Sequence, residues 1–292
     1  MLRLCASRLT SLAANARLEH TRLFATPSDT PRVMLVFGAS GGIGAALVKA
    51  LARDNPGAAL ILADSNGKGL EALKSEVQGS KSETHTVDAA DTEQVEGLVQ
   101  GVLQRHKRLD AVANVVGNVM LQPAGAAGGH NNKGNSSGAT LSELHQSLAV
   151  NLVPAFNILQ ASAKAMAASG GGSIVLTSAA VAETGVPGFE VFSAAKAGVE
   201  GLMRSAAASY ALKGVRINAV APGLTRTAQT SNMMEGKPGQ TAVGTHPVHR
   251  VGEPKDIAEA LAFFMHPRTD FITGQVLAVD GGLSTLTKQQ QA

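Results

Sequence analysis

The stretch Val33–Gly44, reading Val-Met-Leu-Val-Phe-Gly-Ala-Ser-Gly-Gly-Ile-Gly, limits what this chain can fold into more than any other. Val33 to Phe37 is an apolar run of strand length. Glycines then crowd in at Gly38, Gly41, Gly42 and Gly44, and Ala45 to Leu51 continues with helical spacing. A strand, a glycine turn and a helix start, in that order, form a cradle for a phosphate. Glycines let the backbone turn sharply and approach the oxygens, and the helix N-terminus offers free N–H groups and the positive end of its dipole. The spacing here is G-x-x-x-G-x-G, from Gly38 through Gly42 to Gly44, and not G-x-G-x-x-G. A plain glycine-rich turn is the other structure such a stretch can form.

The rest of the chain repeats the alternation. A helix is predicted from Gly42 to Arg53, with Ile43, Leu47 and Leu51 on one side. Ala58–Ala63 reads as a second strand ending at Asp64, and Lys68–Gln78 as a helix. A third strand is expected near His85–Val87, before Asp88. Asp91-Thr92 opens a helix carrying Val95, Leu98, Val99 and Val102. Leu109–Val116 is the expected fourth strand. Gly117–Ala139 is polar, low in complexity and too long for an ordinary loop, so it is expected to be a flap or an insertion. His130 within it is expected to be a solvated loop histidine. Thr140–Ser169 reads as one long helix with Pro154 as a kink, and Ser173–Thr177 as the fifth strand. Phe189–Leu212 is helical, Val215–Val220 a sixth strand, Pro254–His266 a helix and Val276–Val279 a last strand. Strands alternating with helices imply a single α/β domain with a parallel sheet and helices on both faces.

Charge and cysteine narrow the setting. Residues 1–24 carry Arg3, Arg8, Arg17 and Arg22 against Glu19 alone, so the whole net charge of +3 resides there and the body is neutral. A neutral body without a basic stripe gives no reason to expect nucleic acid. No apolar run approaches the ~18 residues of a membrane span. Residues 1–24 are Arg-, Ser- and Ala-rich and fit a transit peptide, with Arg22 two residues before a mitochondrial-type cut after Phe24. The expected destination is the mitochondrial matrix, with the plastid as the competing one. Residues 25–31 form a linker, 32–286 the domain and 287–292 a tail. The single cysteine, Cys5, lies in the segment expected to be removed. The mature chain then has no disulfide, no thiolate nucleophile and no cysteine metal site, and no metal is expected.

Several separate motifs, in order, resemble the short-chain dehydrogenase/reductase family. Phe37–Gly44, with Gly38, Ser40, Gly41, Gly42, Ile43 and Gly44, is similar to its T-G-x-x-x-G-I-G loop, with Phe for Thr. Asn114-Val115-Val116-Gly117 resembles its N-N-A-G strand end. Asn151 matches the family's helix asparagine. Val215–Gly223 matches its sixth strand and Pro-Gly turn, with Pro222 and Gly223. Thr227 matches the threonine that holds the nicotinamide amide, and Gly274-Gln275 and Asp280–Gly282 match its C-terminal signature. The resemblance runs from Val33 to Leu283. It implies a Rossmann-like doubly wound sheet of about seven strands, a nicotinamide cofactor, a small-molecule substrate and a homodimer or homotetramer. It also implies that Asp64 reads the adenosine ribose and Asp88 the adenine. A carboxylate at Asp64 accepts hydrogen bonds from ribose hydroxyls and repels a 2′-phosphate, so NAD(H) is favoured over NADP(H). Capping the following helix is a second role open to Asp64.

The family's acid–base chemistry uses a Y-x-x-x-K pair and a serine thirteen residues before the tyrosine. Lys196 is present here, but Phe192 stands four residues before it and Ala179 at the serine position. Ser178 would serve if the register shifted by one, and Ser193, Glu190 and Thr177 are further substitutes. The sole tyrosine, Tyr210, is expected to pack. Lys196 and Asn151 are the surviving catalytic candidates, and Lys196 also has the nicotinamide ribose as a target. Val181–Gly185 and Ser193–Glu200 resemble mitochondrial dienoyl-CoA reductases, and Asn118 matches an asparagine those enzymes use. Their own tyrosine is Val181 here, and they prefer NADP(H). Three functions follow: an NAD(H)-dependent oxidoreductase with altered acid–base groups, a non-catalytic NAD-binding or scaffold protein of an organelle assembly, and a carbonyl reductase with a relocated serine.

Overall fold

The computed structural model describes residues 31–77, 81–120 and 139–286. Residues 1–24, expected to be a transit peptide, most of the 25–31 linker, most of the 117–139 segment with His130, and the 287–292 tail lie outside the described residues.

The strands are β1 (Val33–Phe37), β2 (Ala59–Asp64), β3 (Lys81–Thr86), β4 (Ala111–Asn114), β5 (Gly172–Thr177), β6 (Val215–Pro222) and β7 (Val276–Val279). The helices are α1 (Gly42–Asp54), α2 (Gly67–Glu76), α3 (Thr92–His106), α4 (Leu141–Asn151), α5 (Val153–Ala168), α6 (Glu190–Tyr210), α7 (Gly236–Thr245) and α8 (Pro254–Met265). The sheet order is β3-β2-β1-β4-β5-β6-β7, and the paired strands run parallel. The chain therefore reverses direction of travel between β1 and β4. The crevice outside their C-terminal ends is where such sheets bind ligands.

Burial explains why the central strands read as unbroken apolar runs. Val33–Phe37 is buried at every position because helices cover both faces. On one face Leu35, Phe37, Ile61 and Ile174 meet Val95 and Val99 of α3, Ile158 of α5 and Met203 of α6. On the other, Met34, Val36, Leu60 and Val175 meet Leu47 and Leu51 of α1, Leu70 of α2 and Ile257 and Leu261 of α8. Each such side chain, fully buried, contributes about 1.5–3 kcal/mol. Among the described residues, no helix is long and apolar enough to cross a membrane.

The sequence misread four elements, each for a physical reason. β3 runs over Lys81–Thr86 and not His85–Val87. It is an edge strand whose polar residues include Glu83, half-buried and paired with Arg105 and His106 of α3, so no apolar run marks it. β4 stops at Asn114 and not Val116, because the Asn114 Oδ1 accepts from the Val116 N–H at 2.9 Å and turns the chain out of the sheet. The long helix expected over Thr140–Ser169 is two helices meeting at Leu152, with Pro154 in the first turn of the second. Proline has no N–H to donate back, so the ladder breaks there. Helix α7 was not foreseen. Its sequence, Gly236–Thr245, carries three glycines or prolines before Gln240 and gives little helical periodicity.

Candidate active site

One cavity of about 1330 Å³ opens along the C-terminal ends of β1, β4, β5 and β6. It exceeds the ~300–1,000 Å³ usual for small ligands, as a site for a dinucleotide plus substrate must. Its floor is the loop between β1 and α1. A β-carbon on Gly44 would land on the Gly38 carbonyl oxygen, and one on Gly38 would lie 2.8 Å from the Val115 carbonyl carbon. Gly38 also has φ +76°, which a side chain disfavours. The loop is closed so tightly at Gly38 and Gly44 that only glycine fits, and the start of α1 faces the cavity with the Thr227 side chain close to Gly42. Gly38, Ser40, Gly41, Gly42, Ile43 and Gly44 all line it. This cradle fits a pyrophosphate.

Asp64, at the tip of β2, holds this loop. Its Oδ2 accepts from the Ser40 N–H at 2.9 Å and its Oδ1 from the Asn66 N–H at 3.0 Å. A carboxylate has about four lone-pair sites, so acceptor capacity remains beyond these two bonds, and Asp64 lines the cavity. Helix α2 is capped by Asn66, whose Oδ1 accepts from the Gly69 N–H at 3.1 Å. The capping role considered for Asp64 belongs to its neighbour. Asp88 also lines the cavity and accepts from the Ala90 N–H at 2.9 Å. At the far side Pro222, Gly223 and Thr227 complete the wall.

Two site residues expected from sequence lie beneath the cavity and are not part of its lining. Asn114 is buried, and its backbone carbonyl accepts from Thr177 Oγ1 at 2.8 Å. It shapes the turn into Val116 and does not contact the cavity. Asn151 is fully buried and clamps the backbone of Asn118, accepting from its N–H at 3.0 Å and donating to its carbonyl at 3.1 Å. Asn118 itself lines the cavity. A β-carbon on Gly117 would lie 2.9 Å from both the Asn151 Oδ1 and the Lys196 Nζ, so these two groups flank one point on the wall.

Lys196 comes from α6, and its Nζ donates to the Thr177 carbonyl at 3.0 Å. It is 4 % exposed, and no carboxylate pairs with it among the described residues. Burial alone pushes the ammonium down to about 8. The Nζ also stands 5.8 Å from the centroid of the Phe192 ring. Phe192 and Ala179 both line the cavity, so ring and methyl occupy the positions where the sequence comparison expected hydroxyls.

The proposed substitutes are otherwise engaged. The Ser178 hydroxyl donates to the Glu200 carboxylate at 2.7 Å, in the buried seam between β5 and α6. Glu200 is held in turn by Arg204 at 2.9 Å. Ser178 and Ala179 both line the cavity just beyond β5, but the Ser178 hydroxyl is taken up by Glu200. Ser193 donates to the Val181 carbonyl at 2.9 Å and is absent from the cavity wall. Thr177 donates to Asn114, and Glu190 accepts from the Gly188 N–H at 3.4 Å. Tyr210 packs against the core on α6, away from the lining, with the Lys213 Nζ 5.1 Å from its ring centroid.

The family described as Enoyl-(Acyl carrier protein) reductase matches residues 38–284. The chain belongs to the short-chain dehydrogenase/reductase family. The 3-oxoacyl-[acyl-carrier-protein] reductase of Thermotoga maritima is 31% identical over 259 residues, covering 86% of this chain and 97% of that one. The crystal structure of levodione reductase superposes with a TM-score of 0.78 at 30% identity, covering 88% of this chain and 98% of its own. A structure of ElxO with NADP bound shares the fold at a TM-score of 0.76 and 22% identity, covering 88% and 100%.

Sequence reasoning missed two further parts of this dehydrogenase/reductase site. His246 is buried and lines the cavity beside Gly223. Gln229 crosses to the opposite wall, with its Nε2 donating to the Gly117 carbonyl at 3.2 Å. Both come from the stretch after β6, where nothing in the pattern separates wall from loop. The Thr227-x-x-Thr230 spacing was the available signal, since Thr227 and Thr230 form a reciprocal cap there.

Proposed function

We propose that this chain is an NAD(H)-dependent oxidoreductase that works without the family's tyrosine and serine, on a small organic or acyl-CoA-like substrate. The observation that carries this is a single cavity with two contrasting ends. Its outer end keeps the glycine cradle, Asp64 and Asp88, while its inner end keeps Lys196 but presents Ala179 and Phe192. A bound nicotinamide dinucleotide supplies the hydride. The chain supplies backbone N–H groups for the phosphates and the Asp64 carboxylate for the ribose. Lys196 brings ammonium protons to the inner end. Val181, Val186, Pro187 and Phe189 make that end apolar, which suits a hydrocarbon-bearing substrate.

NAD(H) is the preferred cofactor in this proposal. Asp64 would repel a 2′-phosphate, and its cavity neighbours Ser40, Ser65 and Asn66 bring no cation to offset it. ElxO binds NADP on the same fold, so the choice rests on side chains and not on architecture. Fluorescence titration with NADH and NADPH tests the assignment. Tighter binding of NADPH would overturn the preference, and binding of neither would overturn the function.

A catalytically silent NAD-binding or scaffold protein is the second reading. One observation favours it: Thr177, Ser178 and Ser193 all donate their hydroxyls to other protein groups. Turnover of an enoyl-CoA or ketone panel with NADH separates the two. We also propose mitochondrial import through residues 1–24 and a homodimer or homotetramer. A fluorescent fusion with and without residues 1–24, and sedimentation of the purified chain, test these.

A further inference from the structure

We propose that Lys196 is a nucleophilic amine that condenses with the carbonyl carbon of a small aldehyde or ketone with a hydrocarbon body. The reaction needs no dinucleotide, so it stands apart from the function proposed above. The Lys196 Nζ sits among cavity walls. It donates to the Thr177 carbonyl at 3.0 Å, a β-carbon on Gly117 would lie 2.9 Å from it, and the Phe192 ring centroid is 5.8 Å away. Lys196, Thr177, Gly117 and Phe192 all line the cavity. Val181, Pro187 and Phe189 bring only hydrocarbon side chains to the same wall, and the Phe192 ring carries no hydroxyl.

A lysine becomes a nucleophile when an apolar site desolvates it and leaves its nitrogen lone pair available. The bond to Thr177 uses one of three ammonium protons, so Lys196 can shed another and keep that bond. No acid on its own helix holds the charge in place. Glu200, one turn along α6, is engaged by the Ser178 hydroxyl at 2.7 Å and by Arg204 at 2.9 Å. Burial lowers the ammonium from 10.5 to about 8. At pH 7 the neutral fraction is then about 300-fold that of an ordinary lysine. In the reaction the lone pair forms a C–N bond to the carbonyl carbon, and the C=O π pair moves to oxygen. The oxygen takes the two amine protons through solvent. The C–O bond then breaks, water leaves and a C=N bond remains. Nothing is oxidised or reduced, and no co-reactant is needed.

Pentane-2,4-dione is the probe, because its imine with an amine rearranges to an enaminone that absorbs in the near ultraviolet. The purified chain is treated without cofactor at pH 7, and labelled peptides are located by mass spectrometry. Lys196 should label about tenfold or more faster than the exposed Lys68 and Lys164. The rest of the advantage in neutral fraction is lost because a weaker base is a weaker nucleophile. The Lys196 rate should level off above about pH 8, while the rates at exposed lysines keep rising. The fast phase should vanish in Lys196→Met, and the preference should vanish in urea. Lys196 left unlabelled, labelled only as fast as the surface lysines, or still accelerating with them well above pH 8 would overturn the proposal. So would a fast phase that survives in Lys196→Met, or a preference that survives unfolding. The wild-type measurements decide the matter even where the variant does not fold.

Discussion

Replacing Lys196 with Met should stabilise the protein at neutral pH. The ammonium is buried with one carbonyl partner, and burial pushes it down from 10.5 to about 8. Below pH 8 the folded protein keeps this charge at a cost. The sign follows from linkage. The folded pKa is depressed, so between 8 and 10.5 the unfolded chain binds more protons and stability rises with pH. The cost is about 3 kcal/mol at pH 7 and under about 1 kcal/mol at pH 10. Methionine has a similar length and no charge, but it loses the hydrogen bond to Thr177, worth about 1 kcal/mol. Lys196→Met should therefore gain about 2 kcal/mol at pH 7 and about nothing at pH 10. For a domain of this size that is a rise of roughly 4–8 °C in Tm at pH 7. The assay is thermal melting of both proteins, without cofactor, at pH 7 and pH 10. A variant that melts lower than wild type at pH 7, or a gap that stays constant with pH, would refute the uncompensated buried charge. The same variant should bind NADH more weakly, since a group kept at a stability cost next to a ligand cavity is expected to serve the ligand.

Gly44→Ala puts a methyl on the Gly38 carbonyl, so NADH binding should vanish and stability fall by about 1–3 kcal/mol, read by titration and by urea melting. Ser178→Ala removes a donor from the buried Glu200, so stability should fall by about 1–3 kcal/mol while NADH affinity is unchanged. Loss of turnover in that variant at unchanged stability would mean that Ser178 takes part in chemistry after all. Phe192→Tyr with Ala179→Ser returns two hydroxyls to the inner wall. Alcohol oxidation by the double variant, and not by the wild type, should appear in absorbance of NADH at saturating cofactor.

The glycine loop, the alternation of strand and helix, and the carboxylate after β2 could all be read from the sequence. They are local: a turn that admits only glycine, a run buried on both faces, and a charge at a strand end each leave a mark on adjacent residues. Gly38, Gly44 and Asp64 accordingly stand where the pattern put them. The sequence also fixed what is missing, because Phe192 and Ala179 carry no hydroxyl in any fold. It could not say where the nearby hydroxyls go. Ser178 lies one residue from Ala179 and both line the cavity, yet the Ser178 hydroxyl is held by Glu200 on α6, 22 residues away. Asn151 and Gln229 show the same limit. Their roles are set by hydrogen bonds to Asn118 and Gly117, 33 and 112 residues distant, which exist only once the sheet has brought β4 beside β5 and β6 beyond it. Sequence determined which groups the chain owns and the cradle that a few neighbours can build. Tertiary structure decided which of those groups face the cavity, because that depends on register and packing between segments remote along the chain.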